Sequence, residues 1–386
     1  MTSVPRRFAI VAPNLHPRIC GVGDNSVRLG QELRRRGHEV MLFSRAPAEP
    51  HPEAPELPVL GAKGALPTLL ARSLVNPIER FRPTEIVLQY TSQMWDTWRF
   101  GSPATTLLLR RLRATGARLT VIAHELSVPW RSRPDLFLGA LLQRVQLAAM
   151  VRQCERLFVT TGTRAALIAP LCRLAGAPGP QVIRIGSNAL PVKRRIRDAA
   201  LASRAPRIGL FSTAAIGKRY DVVLDAFARI TAEVPQAELV LMGDLGPREQ
   251  EGVRAILGAI AQHPARSQIR LTGRLTLAEV ARETAELDLY LFPMESGANT
   301  RSSTLPLALG SGVPTVAVSS FETDGDLFRD GDNVAFAEAM TGAAFAKVAL
   351  RLLRDPTMAA RIGEGGRRLY DDHLSWERIC DQLLAD

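Results

Sequence analysis

The chain is 386 residues long, 46% hydrophobic and 23% charged, an ordinary globular composition that excludes disorder and a disulfide-stapled miniprotein. At roughly 100–200 residues per domain this length predicts two domains. Lys and Arg total 49 against 38 Asp and Glu, and the surplus is uneven: residues 1–190 carry 25 basic and 12 acidic side chains, residues 191–386 carry 24 and 26, so the halves are expected to meet different partners.

The opening MTSVPRRFAIVAPNL sets two arginines before an apolar run, as a secretory signal would, but the run is about five residues against the roughly 7–15 required. It reads as a first β-strand. A glycine turn, CGVGDNS (Cys20–Ser26), then leads into a helix over Ser26–Arg36. The strand-like runs HEVMLFS, EIVLQY, RLTVIAH, RLFVTT and QVIRIG follow, separated by a proline-rich surface loop (Pro47–Pro58) and by helices over Pro103–Ala114 and Leu136–Cys154. After the polar, basic stretch Ser187–Pro206 the alternation restarts with RIGLFS, AELVLMG, QIRLTG, DLYLFP and VPTVAV. Continuous Val/Ile/Leu runs alternating with helices predict parallel strands covered on both faces. The expected fold is α/β: two doubly wound Rossmann-like domains facing a cleft, over 1–187 and 188–365, with closing helices over 366–386 packing back toward the first. No run approaches the ~20 apolar residues of a membrane span. Cys20, Cys154, Cys172 and Cys380 show no metal-ligand spacing and are expected to be reduced and buried, which suits the cytoplasm.

In open parallel sheets ligands bind beyond the carboxyl ends of the strands. Gly21 and Gly23 open a helix there and offer its N-terminus to a donor molecule; a tight turn without ligand is the alternative. The position three after Gly23 is Ser26, so the dinucleotide fingerprint is missing and a dehydrogenase is disfavoured. In the second half Lys218, with Arg219 beside it, sits in a loop before a helix. SGANTRSST offers small residues, a helix N-terminus that Ser302 or Ser303 can cap, and the guanidinium of Arg301. These groups suit a diphosphate. Aspartates 324, 326, 330 and 332 form two D-G-D runs, read as turns rather than as a metal site.

The order GKRYDVVLDAF, AELVLMGDLGP, DLYLFPMESGANTRSSTLPLALGSGVPTVAV resembles the donor domain of the retaining glycosyltransferases of family four, which have the GT-B fold. CGVGDNS, RLTVIAHEL (Arg118–Leu126), QVIRIGSN and the Ser-Trp of Leu352–Ile379 extend the resemblance over the whole chain. It departs at the family's two glutamates, whose positions hold Asn299 and Leu307; Glu295 stands four residues early. The resemblance implies metal-independent transfer of a sugar from a nucleotide diphosphate, UDP- favoured over GDP-sugar, to a hydroxyl with retained configuration. It gives catalytic roles to His124, Lys218 and Arg301, and donor contacts to Gly21, Gly23, Arg219, Gly297, Asn299, Ser302, Ser303 and Thr304. No further cofactor is implied. A non-catalytic binding or scaffold protein of the same fold and a sugar-nucleotide epimerase are the competing readings.

Three tryptophans occupy loops at strand ends of the first half. Tyr90, Trp95, Trp98 and Trp130 are accordingly expected to line an acceptor site, with core packing as the alternative. The basic surplus, including Arg110, Arg111, Arg113, Arg144, Arg152 and Arg156, suits an anionic soluble acceptor or peripheral attachment to an anionic membrane face. Nucleic acid is disfavoured because these arginines alternate with apolar positions. Nothing in the sequence indicates the oligomeric state.

Overall fold

The computed structural model describes residues 4–385 except 19, 63–66, 93–94, 96–102, 127–133, 195–203 and 214–216. The chain divides into two compact units, Met1–Arg184 with Ile379–Asp386, and Ile185–Arg378.

The first unit is built on seven parallel strands: β1 (Arg7–Ala12), β2 (Glu39–Ser44), β3 (Val59–Gly61), β4 (Glu85–Thr91), β5 (Arg118–Glu125), β6 (Arg156–Val159) and β7 (Gln181–Val182), in spatial order 3-2-1-4-5-6-7. The central β4 is buried at every position, which is why Ile86, Val87 and Leu88 are apolar in succession rather than in alternation. Leu74, Ile78, Leu109, Leu112, Met150 and Val151 from the covering helices pack on its Ile86, Leu88 and Tyr90. The second unit repeats the plan with β8 (Arg207–Phe211), β9 (Glu238–Met242), β10 (Ile269–Leu271), β11 (Leu289–Leu291), β12 (Thr315–Val318) and β13 (Ala335–Ala337), in order 10-9-8-11-12-13. Its core centres on Phe227, Tyr290 and Phe345. The α/β, doubly wound reading therefore holds for both units. Each chain order reverses once, between β1 and β4 and between β8 and β11, and at such switch points the loops beyond the strands part to leave a crevice.

Two differences from the sequence reading have local causes. The first helix runs Gly21–Arg35, so the glycines form its first turn instead of a loop before it. A Cβ at position 23 would lie 2.4 Å from the Asn14 carbonyl oxygen, so the glycine serves this close packing. The strands β3 and β13 have three residues each, too few for a periodic signal.

Part of the basic surplus is spent on bonds within the chain. Arg156 is only 7% exposed, and its guanidinium donates to the carbonyls of Leu383 (2.7 Å) and Ala385 (2.7 Å), capping the last helix, Trp376–Leu384. Arg113 likewise donates to Arg152 O at 2.9 Å, and Arg28 pairs with Glu53 at 2.5 Å. Arg156 is thus not part of a membrane-facing surface. Arg156→Ala would leave those carbonyls buried and unsatisfied; we expect a loss of about 2–4 kcal/mol, read as a lower denaturation midpoint of this unit, with Arg156→Lys recovering part of it.

Candidate functional site

At the switch point of the second unit, the segment after β8 is stitched to the segment after β11. Arg219 N donates to Pro293 O (2.9 Å), Glu295 N donates to Gly217 O (2.9 Å), and Lys218 bridges Met294. Tyr220 Oη adds a bond to Ser212 O at 3.1 Å, anchoring the following helix, Tyr220–Glu233, to the end of β8. These bonds fix the Lys218 backbone at the carboxyl edge of the sheet. Its ammonium has no acidic partner among the described residues, and burial pulls its pKa down from 10.5 to about 8. An anion placed against it would restore the higher value.

The neighbouring groups are already committed. Arg219 is held by Asp221 (2.6 Å) and faces Glu295 (3.7 Å). Arg301, expected to be a phosphate donor, is paired through Nη1 with Glu322 at 2.8 Å, which neutralises part of its charge. The 297–304 loop is likewise closed on itself. Gly297 adopts φ +69°, and a Cβ there would strike Thr323 Oγ1 at 2.6 Å. Its N–H donates to Met294 O, that of Ala298 to Val318 O, that of Thr300 to Asp324 Oδ2 and that of Arg301 to Asn299 Oδ1. Asn299 is buried and its amide donates to Ser296 O, Ser296 Oγ and Gly297 O, each at 3.0 Å, so it organises the loop instead of presenting a side chain to a donor.

The helix that follows spans Thr304–Ser311. Ser303 stands at its N-cap without a side-chain bond; Ser302 Oγ takes the Thr304 N–H at 3.3 Å, and Pro306 has no N–H to offer. The helix terminus is therefore a poorer anion site than its sequence suggested. The N–H groups of Ser302 and Ser303 remain without an acceptor among the described residues. Within the D-G-D runs, Asp324 accepts from Thr300 Oγ1 at 2.9 Å, and Asp330 accepts from Phe336 N at 2.8 Å. Among the described residues no three His, Cys, Asp or Glu side chains gather as a metal ion would require.

In the first unit, His124 lies at the carboxyl end of β5. Its Nε2 is 2.6 Å from Gln89 Oε1, so Nε2 carries the proton and Nδ1 keeps a lone pair. Its carbonyl accepts from Arg164 Nη1. Burial, with the Arg164 charge adding to it, lowers the His124 pKa to about 4. The ring is thus a neutral donor–acceptor at pH 7, not a cation. Around it Gln89 Nε2, Thr91 Oγ1 and Ser92 Oγ are buried without partners. Gln89 was missed in the sequence, although its place at the end of β4 obeys the strand-end rule that found His124. Glu322, 21 residues from Arg301, left no sequence signal.

The acceptor expectation is corrected in part. Tyr90 is wholly buried and its hydroxyl accepts from Gln146 Nε2 at 3.2 Å; Trp95 is 2% exposed and its Nε1 donates to Gln89 O at 2.7 Å. Both belong to the core, because an indole with its N–H satisfied by the β4 backbone gains more from burial than from exposure. Trp98 and Trp130 lie outside the described residues, as do Arg131 and Arg133. All four cysteines are free and buried. Gly21 and Gly23 stand in the first turn of a helix at the carboxyl edge of the first sheet, Gly23 packed against Asn14 O.

Residues 205–355 match the family Glycosyl transferases group 1, the segment that carries Lys218, Arg301 and the 297–304 loop. No curated protein sequence matches the chain. Solved structures share its fold. Anabaena HepE, in complex with UDP and glucose, is 16% identical with a TM-score of 0.72, covering 98% of both chains. Sucrose-phosphate synthase from Thermosynechococcus elongatus is 17% identical with a TM-score of 0.72, covering 98% of this chain and 97% of the other. A glycosyltransferase from Rickettsia africae is 11% identical at the same TM-score, covering 98% and 97%. The chain thus has two Rossmann-like domains of the GT-B type.

The His124 shift carries a sign. Its folded pKa lies below the ordinary 6.5, so the unfolded chain binds the extra proton first. Stability should be untouched above pH 6.5, fall as pH drops toward 4, and lose roughly 3 kcal/mol at most once both states are protonated. Denaturation of the wild type and of His124→Gln across pH 7 to 4 checks this: the difference between the two curves should slope in that window only.

Proposed function

We propose that the chain is a glycosyltransferase that moves a hexosyl group from a UDP-sugar to a hydroxyl of a glycan, glycolipid or small-molecule acceptor, with retained configuration. One observation carries the reading. A lysine whose half-buried ammonium has no counter-charge among the described residues has its backbone held at a sheet switch point, in the segment matching Glycosyl transferases group 1. The structural relatives complexed with UDP and glucose support the choice of donor.

The barrier to transfer is the negative charge that grows on the diphosphate as the glycosyl–oxygen bond breaks. Lys218 supplies a fixed positive charge to that oxygen without the solvent reorganisation water would need. Its lowered pKa reflects the missing anion; with diphosphate bound, the ammonium form is favoured throughout the neutral range. Arg301 adds the charge that Glu322 leaves it, and the free N–H groups of Ser302 and Ser303 add dipoles. His124 offers its Nδ1 lone pair to a sugar hydroxyl, with the ring fixed by Gln89. Retention fits a same-face reaction in which the leaving phosphate oxygen takes the acceptor proton, so no protein base is assigned. In this reading Lys218 stands in for a divalent ion, and transfer proceeds in EDTA.

Lys218→Ala and Lys218→Met should keep the fold and lose about 10²–10³-fold in kcat/KM for UDP-sugar transfer or hydrolysis, measured over a panel of UDP-, GDP- and dTDP-sugars. Full activity in either variant removes Lys218 from the site. Binding of the panel without turnover favours the non-catalytic reading instead.

A second part of the proposal is peripheral attachment to an anionic membrane. No described helix is long and apolar enough to cross one. Helix Pro134–Gln153 nevertheless leaves Leu141, Leu142 and Val145 exposed, the last by 60%, with Arg110 and Arg111 at the surface of the adjacent helix Pro103–Ala114. Apolar side chains one turn apart, flanked by cations, suit an interface between headgroups and acyl chains. Val145→Asp should weaken co-sedimentation with phosphatidylglycerol vesicles about tenfold and leave soluble-acceptor turnover unchanged. Equal sedimentation of the two proteins would defeat the attachment.

A further inference from the structure

The second unit has a second concavity, at the other edge of its sheet. A cavity of about 460 Å³ opens between the entry to β11, the end of helix Thr304–Ser311, and helices Gly342–Arg354 and Pro356–Leu369. Asp288 and Leu289 stand at the start of β11 and Gly312 just before β12, whereas Lys218 and Gly297 follow the ends of β8 and β11. In a parallel sheet the amino and carboxyl ends of the strands form opposite edges. The cavity is therefore separate from the site built around Lys218.

Its floor is apolar, formed by Leu289, Leu352, Leu353, Pro356 and Ala359. Its rim carries four cations, Lys193, Arg194, Arg367 and Arg368, against Asp288 and Glu364. Asp288 is already neutralised: it accepts from Arg194 Nη2 (3.2 Å), Arg204 Nη2 (3.4 Å) and the Arg207 N–H (2.8 Å). Arg367 is committed to Asp371 (2.9 Å) and Gly310 O (2.7 Å). Lys193 has no counter-ion among the described residues, and Arg368 makes only a loose contact with Asp332 at 3.7 Å. Ser311, wholly buried, lines the cavity and its Oγ has no hydrogen-bond partner. A volume of this size belongs to small-molecule sites rather than packing faults, which are a few tens of Å³.

We propose that this cavity binds an amphiphilic anion: an apolar chain or ring on the leucine floor, with a phosphate or carboxylate turned toward Lys193 and Arg368. Ser311 supplies a neutral hydroxyl for the head or the bond next to it. Glu364 is the one rim carboxylate without a cation of its own, so it opposes the ligand and sets the affinity below what the cations would allow. The ligand rests against residues 193–194 and helix Pro356–Leu369 and does not touch the Lys218 loop.

Calorimetric titration of the full chain with octyl phosphate, octanoate, 1-octanol and octyltrimethylammonium, each below its micellar concentration, tests this. Octyl phosphate or octanoate should bind one-to-one, and the tighter of the two identifies the headgroup. Octanol and the ammonium should bind at least about tenfold more weakly. Hexyl phosphate should lose roughly tenfold against octyl phosphate, because two methylenes leave the floor. Lys193→Ala should weaken binding about tenfold, Glu364→Gln should tighten it, and Ala360→Trp should block it. These three positions are exposed, so each variant should keep the wild-type melting temperature and UDP affinity. Equal binding of octanol and octyl phosphate overturns the proposal. So does weaker binding in Glu364→Gln, unchanged binding in Lys193→Ala and Ala360→Trp, or no binding of either anion.

Discussion

A lysine ammonium held half-buried without a counter-charge is the constraint around which the second unit is arranged. Burying a charge costs free energy unless something pairs with it, and a flexible lysine would ordinarily swing to solvent. Its backbone is fixed on both sides: Gly217, Lys218 and Arg219 are zipped to Pro293, Met294 and Glu295. Those two segments leave neighbouring strands, β8 and β11, at the point where the strand order turns back. The topology thus brings together two loops remote in sequence, and their mutual bonds position the charge. The missing counter-charge is what a diphosphate would provide, and the stability forgone in its absence is affinity available in its presence.

Several arginines behave in the opposite way, and this alters the meaning of the basic composition. Arg28, Arg36, Arg156, Arg219, Arg301 and Arg354 all have acidic or carbonyl partners. An arginine-rich chain uses the planar fork of the guanidinium to cap helices and tie loops, work that a compact ammonium does less well. Lysine is rare in this sequence, and neither Lys218 nor Lys193 has an ion partner among the described residues. Part of the net charge of the first half is therefore spent inside it. The exposed leucines and valine of helix Pro134–Gln153 say more about such contacts than the arginine count does.

The fold was legible because parallel strands buried on both faces must be apolar at successive positions, and this marks β1, β4, β5, β8 and β9 plainly. It was illegible where elements are short or edge-placed, as in β3 and β13. At the site, the strand-end rule located Lys218 and His124, but it said nothing about which groups would be free. Gly21 and Gly23 read as a turn because glycine signals chain reversal; the helix extends through them because Asn14 packs where a Cβ would be. Trp95 read as a ligand platform because it follows a strand end, yet a backbone carbonyl of β4 was there to take its N–H. Both errors have one origin. Local sequence specifies a residue's chemistry, and a neighbour from elsewhere in the chain decides whether that chemistry is spent internally.

The departure at Asn299 and Leu307 follows the same logic. Where the resembled family carries carboxylates, this chain has an amide that ties its own loop and a leucine packed, fully buried, against Ala189, Val280 and Ala281. A carboxylate at 307 would be stranded in an apolar cluster, and one at 299 would lose the three donations that hold the loop in shape. Both side chains are committed to their surroundings, so a single substitution to glutamate at either position would not create a sugar contact. In the proposed reaction, contacts to ribose and sugar hydroxyls would have to come from groups the loop leaves at its surface. Glu295 is the exposed carboxylate beside the Lys218 stitch, shared at 3.7 Å with Arg219, and its N–H already fixes it to Gly217. Its backbone is held by the same bonds that hold the backbone of Lys218.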